Sequence, residues 1–227
     1  MRLRTVGAGL ALALAGVAGG FVVGNVLRGD PTSVAAATPV PAQSPSYPVN
    51  EYDVLPDNGI APLSTNLPSH EEKFRLNQFR LAASVPDGWR RVTLAGGSAW
   101  NFAPPDNPSN SYVLRIEIVA GSRASVSAAK GFRILKLQNA VADGNMRRLV
   151  IESETEDGFL ANYLDPGLNG GFYQRFTMER WLTFGGDSTA YADIAITGRE
   201  ADRAGMADLL ERVAASASIP SPAPGEA

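Results

Sequence analysis

The chain has 227 residues, 44% of them hydrophobic, with a formal net charge of -3 and no cysteine. That length accommodates one medium domain plus an appendage. The acidic balance offers no basic field to nucleic acid, and without cysteine there can be no disulfide, thiolate metal site, cysteine nucleophile or thiol-linked lipid.

Residues 1–4, Met1-Arg2-Leu3-Arg4, form a short basic start, and the uncharged run from Thr5 to Leu27 follows. At about 1.5 Å per residue this run reaches across the ~30 Å hydrocarbon core of a bilayer. Arg2 and Arg4 precede it, whereas Arg28 is balanced by Asp30, so the positive-inside rule places the N-terminus in the cytoplasm and the rest outside. The expectation is a single-pass signal anchor in the cell membrane. The alternative is a secreted form cut near Ala37, where Ala35, Ala36 and Ala37 supply the small residues a signal peptidase needs. Gly16, Gly20 and Gly24 recur at every fourth residue, a doubled GxxxG through which two such helices could pair into a homodimer.

Residues 28–72 are rich in Pro, Ala, Ser, Thr and Asn and read as a disordered linker with a span on the order of 40 Å. Tyr47, Tyr52, Val54, Leu55, Ile60 and Leu63 give its second half the means to lie against a domain. His70, the only histidine, sits among Ser69, Glu71 and Glu72 and reads as a solvated loop residue.

An extracytoplasmic domain then runs over 73–219. Phe79, Leu81, Ala83 and Val85 alternate with Arg80, Ala82 and Ser84, which predicts a half-buried strand ended by Pro86-Asp87-Gly88 and followed by Trp89. Short strands over 91–94 and 98–102 continue it as a meander, and 111–120 alternates Leu114, Ile116 and Ile118 against Arg115 and Glu117. From Ser125, a plausible N-cap, the spacing of Ala128, Phe132, Leu135 and Asn139, widened by Ile134, Leu137 and Val141, predicts a helix ended by Asp143-Gly144-Asn145. Strands over 148–155, 159–164, 171–184 and 189–197 follow. The longest sets Phe172, Phe176, Met178 and Leu182 against Tyr173, Arg175, Thr177, Glu179 and Trp181. A closing helix carries Met206, Leu209, Leu210 and Val213 on one stripe, and 220–227 is a disordered tail. The predicted class is α+β: an antiparallel sheet of about eight strands with two packing helices.

This element order, with the opening FRLAASVPDGW and the closing amphipathic helix, resembles the PsbP-like fold, and within it the LpqN-type actinobacterial cell-envelope proteins. The resemblance covers about Phe74 to Ile219. It implies a noncatalytic envelope or assembly factor that binds a partner protein or a lipid-like ligand. The absent lipobox cysteine departs from the lipoprotein pattern.

Four groups of residues bear on chemistry or binding. Ser127 and Lys130 match S-x-x-K, without the S-D-N or K-T-G that accompany it in penicillin-interacting enzymes. Glu152, Glu154, Glu156 and Asp157 could form a Ca²⁺ patch, but alternate residues on a strand lie ~6.5–7 Å apart, too wide for one cation, and the group reads as a solvated face. Asp165, Asp187 and Asp193 could pair as acid and base, although Asp-Pro-Gly and Gly-Asp-Ser are turn sequences. Tyr163, Tyr173, Trp181 and Tyr191 share parity on consecutive predicted strands and are the candidate binding residues, unless a helix covers them as core. The expected function is a membrane-tethered binding or adapter domain of the envelope, without cofactor or metal. The alternatives are an envelope hydrolase using Ser or carboxylates, and a regulatory ectodomain that dimerises through its span.

Overall fold

The computed structural model describes residues 52–56, 59–94, 96–107, 112–167 and 170–221. The expected membrane span with Gly16, Gly20 and Gly24, the position near Ala37, and Tyr47 lie outside the described residues. Among the described residues no helix is long and apolar enough to cross a membrane.

Among the described residues nine strands and two α-helices follow in order: β1 (Ser69–Leu76), β2 (Phe79–Pro86), β3 (Arg90–Thr93), β4 (Ala99–Ala103), β5 (Val113–Ile118), α1 (Val126–Ala142), β6 (Arg147–Glu154), β7 (Gly158–Pro166), β8 (Phe172–Leu182), β9 (Ala192–Gly198) and α2 (Arg203–Ser216). Strands β3 to β9 form one antiparallel sheet in the order β3-β4-β5-β9-β8-β7-β6, and β1 and β2 form a separate hairpin. The α+β expectation therefore holds. The expected meander begins one strand later, because β2 pairs with β1 and not with β3.

Alternation along each strand gives the sheet two unlike faces. The first collects Trp100, Phe102, Leu114, Ile116, Ile118, Ile194 and Ile196, and is roofed by the hairpin and α2 through Phe74, Leu81, Val85, Met206, Leu209 and Val213. The second carries Arg115, Glu117, Thr177, Glu179, Asp193 and Thr197, and α1 covers only part of it. There Leu137, Phe159, Ala161, Trp181 and Ala190 make a smaller core.

Three expectations are corrected. The linker ends earlier than residue 72: Ser69 to Leu76 is strand β1, and His70 lies on it with Nδ1 2.8 Å from Asp87 Oδ1. That hydrogen bond chiefly raises the exposed imidazole above its ordinary pKa. β1 has only Phe74 and Leu76 as large apolar residues, too few to show alternation.

Ahead of it, the chain is laced to the domain. Leu55 N donates to Phe172 O at 2.7 Å, and the Tyr52 and Phe172 rings meet edge to face at 5.0 Å. Leu63 is buried against Gly205, where any Cβ would overlap the Leu63 carbonyl. Tyr52, Val54, Leu55, Ile60 and Leu63 thus belong to the domain edge and not to a free tether.

The third correction is the face of α1. Ser125 caps it as expected, its Oγ accepting from Ala128 N at 3.2 Å. Phe132 and Leu135, however, are 66% and 48% exposed. The inward stripe is Val126, Ala129, Arg133 and Leu137, spaced three and four residues apart. A charged residue occupies the third place of that stripe, so counting apolar residues rotates the helix.

Candidate functional site

Strand register brings the charged residues of the second face together. Glu117 pairs with Asp193 across β5 and β9, Asp193 with Trp181 across β9 and β8, and Asn101 with Arg115 across β4 and β5. Arg133 reaches down from α1 onto the same face. Its Nε donates to both carboxylate oxygens of Glu179 at 2.8 and 2.9 Å, and its Nη2 lies 2.8 Å from Oε1. Arg115 Nη2 donates to Asp193 Oδ2 at 2.6 Å and to Glu179 Oε2 at 3.3 Å, while its Nη1 is 3.6 Å from Glu117.

The Glu179 and Asp193 side chains are 0% and 5% exposed. Burying a charge is costly unless its partners are close, and two guanidiniums shared by two buried carboxylates meet that need only in part. Asp193 Oδ1, Arg115 Nε and Asn101 Oδ1 are buried with no hydrogen-bond partner among the described residues.

Cavities lie on either side of Arg133. One, of about 530 Å³, opens between α1 and the sheet and is walled by Leu76, Ile118, Val119, Ala129 and Phe132, with Asp193 and Arg115 on its floor. The other, of about 300 Å³, is polar and includes Asn101, Tyr163, Asp165, Arg175 and Thr197. Arg115 and Arg133 line both. Burial pushes the Tyr163 hydroxyl up to about 12, reinforced by Asp165 and opposed by Arg133 and Arg175, so at neutral pH it is a hydrogen-bond donor. Burial also raises the Asp165 carboxyl, against the pull of Arg175.

Burial, reinforced by neighbouring Glu179, pushes Asp193 up to about 7 against the attraction of Arg115 and Arg133. An unfolded aspartate titrates near 3.9, so the folded state holds a proton that the unfolded state has lost between roughly pH 4 and 7. That contribution to stability is fully present below about pH 4 and is gone once the pH has risen through about 7. Asp193→Asn fixes the uncharged form. The variant is expected to be more stable than the parent at pH 8, by on the order of 1–3 kcal/mol. Denaturant titrations should show the gap widening from pH 5 to pH 8, and a gap that narrows would show that the charge is welcome there.

The four aromatic candidates separate. Tyr163 and Tyr173 lie on the second face, opposite Arg175 and Asp165 respectively. Trp181 is on the same face but 3% exposed, its ring 5.9 Å from Phe159 beneath α1, and is core. Tyr191 does not share the face. It precedes β9, packs edge to face on Phe79 and Phe184, and its hydroxyl donates to Arg80 O at 2.8 Å. The strand has not yet begun at Tyr191, so parity does not bind it.

The remaining candidates have local partners. Ser127 is exposed, and Lys130 Nζ donates to Thr155 O and lies 3.5 Å from Glu154, away from Ser127. Glu152 accepts from Arg203 at 2.8 Å and Asp157 from Arg180 at 2.7 Å, so these carboxylates are divided among separate cations. Asp187 accepts from Thr189 N and Oγ1, as a turn aspartate does. Asp165 and Asp193 line different cavities.

The cluster of Arg115, Arg133, Glu179 and Asp193 escapes a sequence reading because alternating charge on a strand ordinarily faces water. The signal was the coincidence of charged alternate positions on β5, β8 and β9, three strands too apolar on their other face to sit at an edge. Models of known protein families and curated proteins give no match to this chain.

Proposed function

We propose that the chain is a noncatalytic binding module of the bacterial cell envelope, held to the membrane by its N-terminal segment with the domain outside, and that its domain is of the PsbP-like, LpqN-related kind. The ligand is an amphiphile or an amphiphilic part of a partner protein, taken up on the α1 side of the sheet.

The observation that carries this reading is the larger cavity: an apolar wall above a floor that holds Arg115 and Asp193, each with one buried atom that has no hydrogen-bond partner among the described residues. Its size falls in the range of small-molecule sites, and such sites combine apolar lining with a few fixed polar groups. Buried polar atoms are normally satisfied, and Asp193 Oδ1 and Arg115 Nε depart from that among the described residues. The uncharged run over 5–27 supports the tether.

Ala129 lines the cavity from α1, and Ala129→Trp would fill it. Native mass spectrometry of the full chain, extracted from its own membrane, is expected to show a small-molecule adduct that this variant loses while its melting temperature stays within a few degrees of the parent. Identical spectra for the two proteins would remove the cavity as the site.

A further inference from the structure

The floor of the larger cavity is one positive charge short. Glu117 and Asp193 are cross-strand neighbours on one face, a like-charge pairing that destabilises a sheet unless something intervenes. With Glu179 they make three carboxylates on β5, β9 and β8, against Arg115 on β5 and Arg133 on α1. Lys136 of α1 stands at the mouth, exposed to solvent, where its charge is screened. β1 contributes only Leu76 to this cavity. Asp165 and Arg175, with Tyr163, belong to the neighbouring polar cavity. The charge deficit coincides with Asp193 Oδ1, a carboxylate oxygen on a side chain 5% exposed that accepts no hydrogen bond among the described residues.

We propose that this cavity binds a hydrophobic primary ammonium, its charged head set against the Asp193 carboxylate and its apolar body along Ile118, Val119 and Phe132 towards the mouth. This rests on the binding-module reading above and names the ligand class for the same site.

An ammonium supplies the missing charge and the missing donor together. A carboxylate would face three acids with only Arg115 Nε left to donate to it, and an alcohol would supply the donor without the charge. A bare metal ion fits poorly, since no group of three metal-ligating side chains converges among the described residues. The exposed Phe132 ring at the mouth offers an apolar surface to the ligand's body.

The proton and the ammonium compete for the same carboxylate. Binding should therefore tighten as Asp193 ionises, by about tenfold between pH 6 and pH 8 for a group titrating near 7. Each ammonium bound at low pH releases a proton from Asp193.

The test is calorimetric titration of the full chain in lipid nanodiscs, with empty nanodiscs as the blank, using 3-phenylpropylammonium, 3-phenylpropanol and 3-phenylpropionate. The proposal predicts the ammonium to bind at least tenfold tighter than either of the others at pH 8 and to weaken about tenfold at pH 6. Asp193→Asn should abolish that preference, and the partly exposed Glu117→Gln should reduce it with the fold intact. If the alcohol or the carboxylate binds as tightly as the ammonium, and Ala129→Trp abolishes that binding, the cavity is a site but the ligand class is wrong. If no probe binds at either pH, the ammonium proposal is overturned. The parent reading then stands or falls on the native adduct and its loss in Ala129→Trp.

Discussion

Asp202→Asn is expected to cost about 3–5 kcal/mol and to release the segment ahead of β1 from the domain. Asp202 is wholly buried, and its carboxylate accepts from Arg199 Nε and Nη2 at 2.8 Å, from Arg199 N at 2.9 Å and from Leu63 N at 2.9 Å. Arg199, 2% exposed, also donates to the Ile60 and Ala61 carbonyls at 3.1 and 3.2 Å. One carboxylate therefore ties the start of α2 to a stretch about 140 residues earlier in the chain. The asparagine keeps the shape and removes the charge, so the guanidinium loses the carboxylate that accepts from its Nε and Nη2.

Burial alone would raise the Asp202 carboxyl, but the hydrogen bonds from Arg199 and Leu63 outweigh it and hold the group below the ordinary range. Its contribution is thus present above about pH 4 and is lost as the pH falls through the lower folded value. Denaturant titration at neutral pH, with limited proteolysis of residues 59–68, checks both parts. A loss under about 1 kcal/mol, with that segment still protected, would mean that Leu63 against Gly205 holds it unaided.

Trp181→Ala is expected to cost about 3–5 kcal/mol, because the indole is the largest piece of the small core beneath α1. Only Leu137 of that helix is fully buried, so α1 has few other apolar contacts to keep it docked. Arg133 on Glu179, and Lys130 on the Thr155 carbonyl, complete its attachment. The variant should therefore show faster amide exchange along α1 as well as a lower melting temperature. Unchanged stability with lost ligand binding would instead make Trp181 a ligand anchor.

What the sequence revealed of the fold, it revealed through period. β2 and β5 set their bulky apolar residues on one face, and their placement follows directly. Ser125 announces α1 because an N-cap is chemistry local to one turn. The misses have a common origin in long-range partners. Nothing near Ile60 or Leu63 shows that Arg199, Asp202 and Gly205 will receive them. Arg133 reads as a solvent residue until Glu179 is known to lie beneath it. Parity placed Tyr163 and Tyr173 on the second face, but neither lines the larger cavity, and Asp193, which does, was legible only as one of three scattered aspartates.

On the reading proposed above, the domain grips a ligand between α1 and the β5–β9 floor. The structure of the full chain, purified from its native membrane with its ligand retained, tests it most directly. Added density is expected along Ile118, Val119 and Phe132, ending on Asp193. Ligand density elsewhere on the domain, with that cavity occupied by water alone, would contradict it.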